Sequence, residues 1–230
     1  MLRAFLRSFL PEGLIAHRRE KRKFLGKVSY SQEGEDLALL RLIGEKYTGF
    51  YIEIGAHHPV RFSNTYLFYR LGWRGICIDA TPGSMKLFKK HRPRDICVET
   101  GVGETDSSQQ YYLFNDPALN TFSKEKAEKV IAEGAYHLIG TQNIQQRNIN
   151  SILSEYLVPA QIDFLSIDVE GLDELILKTF DFSRYHAQYV VLEANHFNLE
   201  NLESSGIHRL MKAQHYRLIS KLDNSLIYQR

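Results

Sequence analysis

From Tyr30 onward, short apolar runs alternate with stretches of helical periodicity, a rhythm that restricts the chain to βαβ units on a mostly parallel sheet. The runs at 50–54, 75–80, 96–100, 162–169, 189–194, 216–221 and 225–228 read as seven strands. Helical patterns fall between them. Residues 31–47 place Leu37, Leu40, Leu42 and Ile43 on roughly one face. Residues 81–91 offer Thr81 as an N-cap with Pro82 in the first helical position. Residues 171–180 and 201–214 complete the set. Only a tight turn at Asp223 and Asn224 separates the last two strands, so they are expected to pair antiparallel as a terminal hairpin.

One stretch breaks the rhythm. Residues 104–161 far exceed the roughly a dozen that a crossover needs, and they read as an insertion after the third strand. Within it, 109–114 alternates like an edge strand, 123–133 is a charged helix and 150–157 a shorter one. From that position the insertion can fold over the carboxyl ends of the strands, where ligands bind in open α/β sheets. Its Asn120-Thr121-Phe122 suits either a substrate contact or a loop closure.

Composition removes several alternatives. A chain of 230 residues suits one α/β domain, here 28–230, and leaves no place for a second. The net charge of +2 gives no sign of a nucleic-acid partner. Cys77 and Cys97 each lie in an apolar run and read as core thiols, not as a disulfide or metal knuckle. No apolar stretch reaches the about 20 residues that span a bilayer. Residues 1–27 form a separate segment in which Leu2, Phe5, Leu6, Phe9 and Leu10 recur at helical spacing before a basic run at 17–23. The basic block follows the apolar one, which argues against a signal peptide and for a cytoplasmic protein. This segment is expected to dock on its own domain or on a second copy in a homodimer, with peripheral contact to the inner face of a membrane as the alternative.

The chemistry begins at the end of the first strand. Phe50-Tyr51-Ile52-Glu53-Ile54 runs into Gly55-Ala56-His57-His58-Pro59, where Gly55 lets the backbone approach a ligand and Glu53 offers a carboxylate. The second strand, Gly75-Ile76-Cys77-Ile78-Asp79-Ala80, ends in an acid about 20 residues on, placed to accept both hydroxyls of a ribose. A dinucleotide would require G-x-G-x-x-G so that its pyrophosphate could lie on backbone amides, and two imidazoles and a proline stand there instead. The sulfonium donor S-adenosylmethionine needs no such bed.

Ser31-Gln32-Glu33-Gly34-Glu35-Asp36, Phe50 through Pro59, Ser63-Asn64-Thr65, Gly72-Trp73-Arg74-Gly75-Ile76, Ile78-Asp79-Ala80-Thr81-Pro82 and Ile162 through Gly171 together resemble the FkbM family of methyltransferases, a likeness that runs from about Tyr30 to Tyr228. The resemblance implies a Rossmann-like class I methyltransferase fold and methyl transfer from S-adenosylmethionine to a hydroxyl, often of a sugar on a glycan or glycosylated small molecule. It also implies that Glu53, Gly55 and Ala56 line the methionine part of the donor and that Asp79, with Ala80, holds the ribose. Val102, with Gly103, would lie by the adenine. Gln32, Glu35, Asn64, His57 and Asp168 complete the implied donor contacts. His57-His58-Pro59 departs from the asparagine and second glycine of many members, which affects the contact to the donor's amino-acid group.

An alcohol attacks a methyl group well only when a base takes its proton. Asp168 and Glu170 close the fourth predicted strand, on one face with Val169 turned away, and Glu193, Asn195 and His196 close the fifth. Asp168, Glu193 and His196 lead as bases, with His57 and His58 behind them; Glu170 equally suits a helix cap. A divalent metal on Asp168, Glu193 and His196 is conceivable, and none is expected. Trp73 reads as a core aromatic ahead of a sugar-stacking ring. Two rival functions remain at this point: a nicotinamide-dependent oxidoreductase, disfavoured by the missing pyrophosphate loop, and a non-catalytic module that binds the donor without turnover.

Overall fold

The computed structural model describes residues 28–44, 48–195 and 197–230. The expected segment at 1–27 and residues 45–47, which include the end of the first predicted helix, lie outside the described residues.

Seven strands form one sheet: β1 (Phe50–Ile54), β2 (Arg74–Asp79), β3 (Ile96–Glu99), β7 (Gln161–Ile167), β8 (His186–Glu193), β9 (Arg217–Lys221) and β10 (Ser225–Gln229). Their order is β3-β2-β1-β7-β8-β10-β9. The β3-β2-β1-β7-β8 portion is parallel, and β10 runs antiparallel to both β8 and β9, so the predicted terminal hairpin is present. This is the Rossmann-like architecture that the alternating runs required.

Strand alternation splits the core into two layers. On one face Ile52, Ile54, Ile76 and Leu165 pack under α5 (Ile149–Glu155), α6 (Asp173–Thr179) and α7 (Gly206–Ala213). On the other Tyr51, Cys77 and Phe164 pack under α1 (Glu35–Ile43), α2 (Tyr66–Arg70) and α3 (Ser84–His91). Trp73 belongs to this second layer, 1% exposed and with its ring centroid 4.9 Å from that of Phe68, as a core aromatic. Among the described residues no helix is long and apolar enough to cross a membrane.

The insertion pairs with β4 (Gly101–Gly103), just before it, in a second sheet with β5 (Ser107–Phe114) and β6 (Leu138–Asn148) in the order β4-β6-β5, with α4 (Lys124–Glu133) between β5 and β6. Ser123 caps α4 by accepting a hydrogen bond from the Lys126 amide. β6 gave no strand signal because most of it is exposed or half-buried, and its Thr141-Gln142-Asn143-Ile144-Gln145-Gln146 shows no apolar alternation.

Four predicted helices begin later than expected, the first of them, read from residue 31, only at Glu35 behind Gly34 at φ 90°. After β2, Thr81 does not cap α3: the Asp79 carboxylate takes the Thr81 amide at 2.8 Å, Thr81 to Gly83 form a turn, and Gly83 at φ 82° occupies the cap position. After β7, residues 168–172 form a loop and α6 starts at Asp173. The stretch predicted as a single helix over 201–214 divides into a short 3₁₀ turn, Leu202–Ser204, and α7, which Ser205 caps through the His208 amide.

Candidate active site

The turn after β1 is fixed by its own amides. Gly55 at φ 81° and Ala56 both donate to the Ile78 carbonyl, at 2.9 and 3.0 Å, and the His57 amide donates to Asp79 Oδ2 at 2.8 Å. Gly55 has no alternative: a β-carbon there would lie 1.6 Å from the Asp168 carbonyl oxygen. None of these three amides is left to cradle a diphosphate, which removes the physical basis of dinucleotide binding at this turn.

A cleft of about 770 Å³ of non-protein space, part of it open to solvent, lies over the carboxyl ends of β1, β2 and β7 and against the start of β4. Gln32, Gly55, His57, Asp79, Ala80 and Val102 all line it, as do Asp168 and Glu170. The Asp79 carboxylate is 6% exposed and held by the two backbone donors, one to each oxygen, which leaves lone pairs on both for a ligand. Burial holds the His57 imidazole below its ordinary pKa, so the ring is neutral at pH 7. His58 instead anchors the loop, its Nδ1 accepting from the amides of Val60 and Arg61 at 3.1 and 3.0 Å.

A second cavity of about 410 Å³ adjoins the first and shares Gln32, Phe62 and Asp168 with it. Asn64, Glu35 and Glu193 line this one. Asn64 donates to Ser166 Oγ at 3.0 Å, and Glu35 accepts from Ser225 Oγ at 2.7 Å. Three of the five described non-glycine residues with positive φ, His57, Phe62 and Glu170, sit on the walls of these cavities. Backbone held at such a conformation costs about 1–3 kcal/mol per residue and concentrates at functional sites.

Where the cavities meet, oxygens of Asp168, Glu170 and Glu193 lie within 4.8 Å of one another. The convergence of Asp168 and Glu170 does not come from strand alternation. β7 ends at Ile167, Val169 also reaches the cleft, and the left-handed backbone at Glu170 (φ 52°) turns its carboxylate back. Surrounding protein, then the like charges of Glu193 and Glu170, push the Asp168 carboxyl well above its ordinary range, although it opens onto the cavities. Burial and Glu170 raise Glu193 as well, against the opposing charge of Lys126 and a hydrogen bond from Asn195 Nδ2 at 3.1 Å. Lys126 on α4 reaches Glu170 Oε2 at 2.8 Å. Its sequence setting, one of several lysines on a charged helix, gave no hint of this contact.

Two predicted site residues stand apart from the cleft. Ala56 is buried in the second core layer. Glu53 faces that layer too, accepting from Thr65 Oγ1 at 2.6 Å and from Arg92 Nη1 at 3.4 Å, while its neighbour Ile54 lines the cleft. Glu170 does not cap α6, whose cap residue is Leu172. His196 lies outside the described residues.

The chain matches the model of the methyltransferase FkbM domain over residues 53–218. Among solved structures it is similar to a TehB-like SAM-dependent methyltransferase from Corynebacterium glutamicum ATCC 13032 Kitasato, at 9% identity and a TM-score of 0.43, over 95% of this chain and 97% of that one. It is similar also to a precorrin-6y C5,15-methyltransferase from Geobacter metallireducens GS-15, at 11% identity and a TM-score of 0.42, over 85% and 86% of the two chains. A third is a methyltransferase from Geobacter sulfurreducens, at 14% identity and a TM-score of 0.41, over 100% and 94%. Comparison with curated proteins gives no match. The cleft fits the cofactor of the matched family: a buried carboxylate with free lone pairs on both oxygens suits a ribose, and a turn with its amides spent suits a sulfonium rather than a diphosphate. The chain belongs to the FkbM methyltransferase family, whose members take their methyl group from S-adenosylmethionine.

Proposed function

We propose that the protein methylates a hydroxyl oxygen of a sugar, glycan or glycosylated small molecule, with Asp168 as the base and Glu193 as its partner. S-adenosylmethionine, when bound, supplies an electrophilic methyl group. Asp79 and Ala80 hold its ribose, Val102 lies by its adenine, and Gln32 and Gly55 border its amino-acid end. The observation that carries the acceptor side is the position of Asp168, the one acidic residue common to both cavities, with Glu193 and Glu170 oxygens within 4.8 Å. A carboxyl raised by the surrounding protein and by like charges is a better match for an alcohol proton than an ordinary one, because base strength grows with pKa. The smaller cavity supports a polyol. Glu193, Asn64 and Asn224 line it, and carboxylates and amides accept from or donate to hydroxyls, while among the described residues no lysine or arginine lines it to favour an anionic acceptor.

Asp168→Asn and Glu193→Gln are expected to leave S-adenosylhomocysteine binding intact while lowering turnover by about 10²–10⁴-fold. Asp79→Ala is expected to abolish that binding. Donor binding with full turnover in Asp168→Asn would remove the base assignment, and labelled donor that never methylates a carbohydrate panel would remove the acceptor class. Turnover is expected to survive EDTA, since Lys126 already places a cation on the acid cluster.

A further inference from the structure

Segment 117–122 of the insertion is laced to both rims of the larger cleft. On the β2 side, Asn120 Nδ2 donates to Thr81 Oγ1 at 3.2 Å, and the Tyr111 hydroxyl meets the same oxygen at 3.2 Å. On the β7 side, Thr121 Oγ1 donates to the Glu170 carbonyl at 2.9 Å. The segment also pairs with β5 through reciprocal backbone bonds between Tyr112 and Thr121, at 2.8 and 3.2 Å. Phe122 follows, half-buried and lining the cleft, its ring centroid 4.5 Å from that of Tyr111. β4 has given way to this ring: a β-carbon on Gly101 would lie 2.6 Å from Phe122 Cζ.

The polar side chains at this end of the cleft are already committed. Asn120 Oδ1 accepts from the Phe114 amide at 2.8 Å, and Thr100 Oγ1 donates to the Gln145 carbonyl at 2.9 Å. Beyond Asp79, apolar side chains line the cleft here, among them Ile78, Val102 and the Phe122 ring. We infer that Phe122 is a donor-contacting residue, that it holds the heteroaromatic base of the donor by stacking, and that the insertion thereby completes the donor site as well as covering it. The inference rests on the donor assignment above and extends it to a residue of the inserted segment.

Calorimetric titration of the full chain with S-adenosylhomocysteine, and separately with adenosine, tests this. Base–aromatic stacking of ordinary strength predicts that Phe122→Ala raises both dissociation constants by about tenfold or more, with Phe122→Leu, which retains bulk against Gly101, losing a smaller factor on both. Thermal melting without ligand checks that each variant folds, and Phe122→Leu carries the test if Phe122→Ala does not. Dissociation constants within about twofold of wild type in the folded variants would overturn the inference and leave the donor assignment standing. A loss for S-adenosylhomocysteine with none for adenosine would overturn it also, because the ring would then act away from the base. A wild-type chain that binds neither ligand would sink the donor assignment itself.

Discussion

The carbonyl oxygen of Asp168 occupies the space that a β-carbon on Gly55 would need, 1.6 Å from its ideal position. The turn after β1 and the acid loop after β7 are thus in direct backbone contact, and the Asp168 amide closes the same junction by donating to the Ile54 carbonyl at 3.0 Å. Gly55→Ala adds this overlap to a positive φ of 81°, so about 2–5 kcal/mol of stability should be lost. Urea denaturation measures it. Donor binding and turnover should fall together, because one displacement moves both halves of the site; a variant of wild-type stability and affinity would mean that the junction is looser than its geometry.

Turnover should rise with pH and then level off as the acid pair ionises. In the proposed roles Asp168 and Glu193 act as carboxylates; the surrounding protein raises both, Glu193, Glu170, Asp173 and Glu35 repel the Asp168 charge, and Glu170 and Glu33 repel that of Glu193. Lys126 is the opposing cation, itself raised because the hydrogen bond and charge of Glu170 outweigh its burial. Lys126→Met should therefore shift the ascending limb of kcat/KM to higher pH while sparing donor affinity. An unmoved limb would show that Lys126 serves only to fasten α4.

Asp173 is 4% exposed, and burial, reinforced by Glu193, raises its carboxyl to about 8. Between the unfolded value of about 3.9 and about 8 the native state retains a proton that the unfolded chain releases, so this group costs stability as pH rises, by at most about 1.4 kcal/mol per pH unit. Asp173→Asn keeps an acceptor for the Val169 amide without the titration. Its melting temperature should match wild type near pH 4 and exceed it increasingly towards pH 8; a constant difference would refute the assignment.

Arg92 is fully buried, with Nη1 3.4 Å from Glu53 Oε2 and Nε 2.7 Å from Asp95 Oδ2. It also donates to Thr65 Oγ1 at 2.7 Å and so ties the Ser63-Asn64-Thr65 loop to β1. Arg92→Met should cost about 3–5 kcal/mol in chemical denaturation, because two carboxylates lose their counter-charge. A smaller loss would indicate that Glu53, whose carboxyl burial already raises, takes up a proton.

Most of the main sheet was legible because its strands are apolar on both faces and its helices follow in alternation. The acids at the strand ends were legible by position, and Asp79 closes β2 where the sequence put it. What escaped depended on partners remote in sequence. Nothing near Glu53 announces Arg92, which lies 39 residues away and turns that carboxylate into a structural group. β6 escaped because an exposed strand needs no apolar code, and the meeting of Glu170 with Asp168 escaped because it depends on one residue with a left-handed backbone.

One wall of the smaller cavity is joined by bonds between Glu33 and Asn224, 191 positions apart, and between Glu35 and Ser225. A growing polypeptide therefore carries every residue that lines the larger cleft once Leu172 is made, well before the chamber beside Asp168 and Glu193 can be completed. That chamber can close only after the ribosome has made residues 224 and 225, so an incomplete product that stops short of them would carry a donor cleft without a finished neighbour.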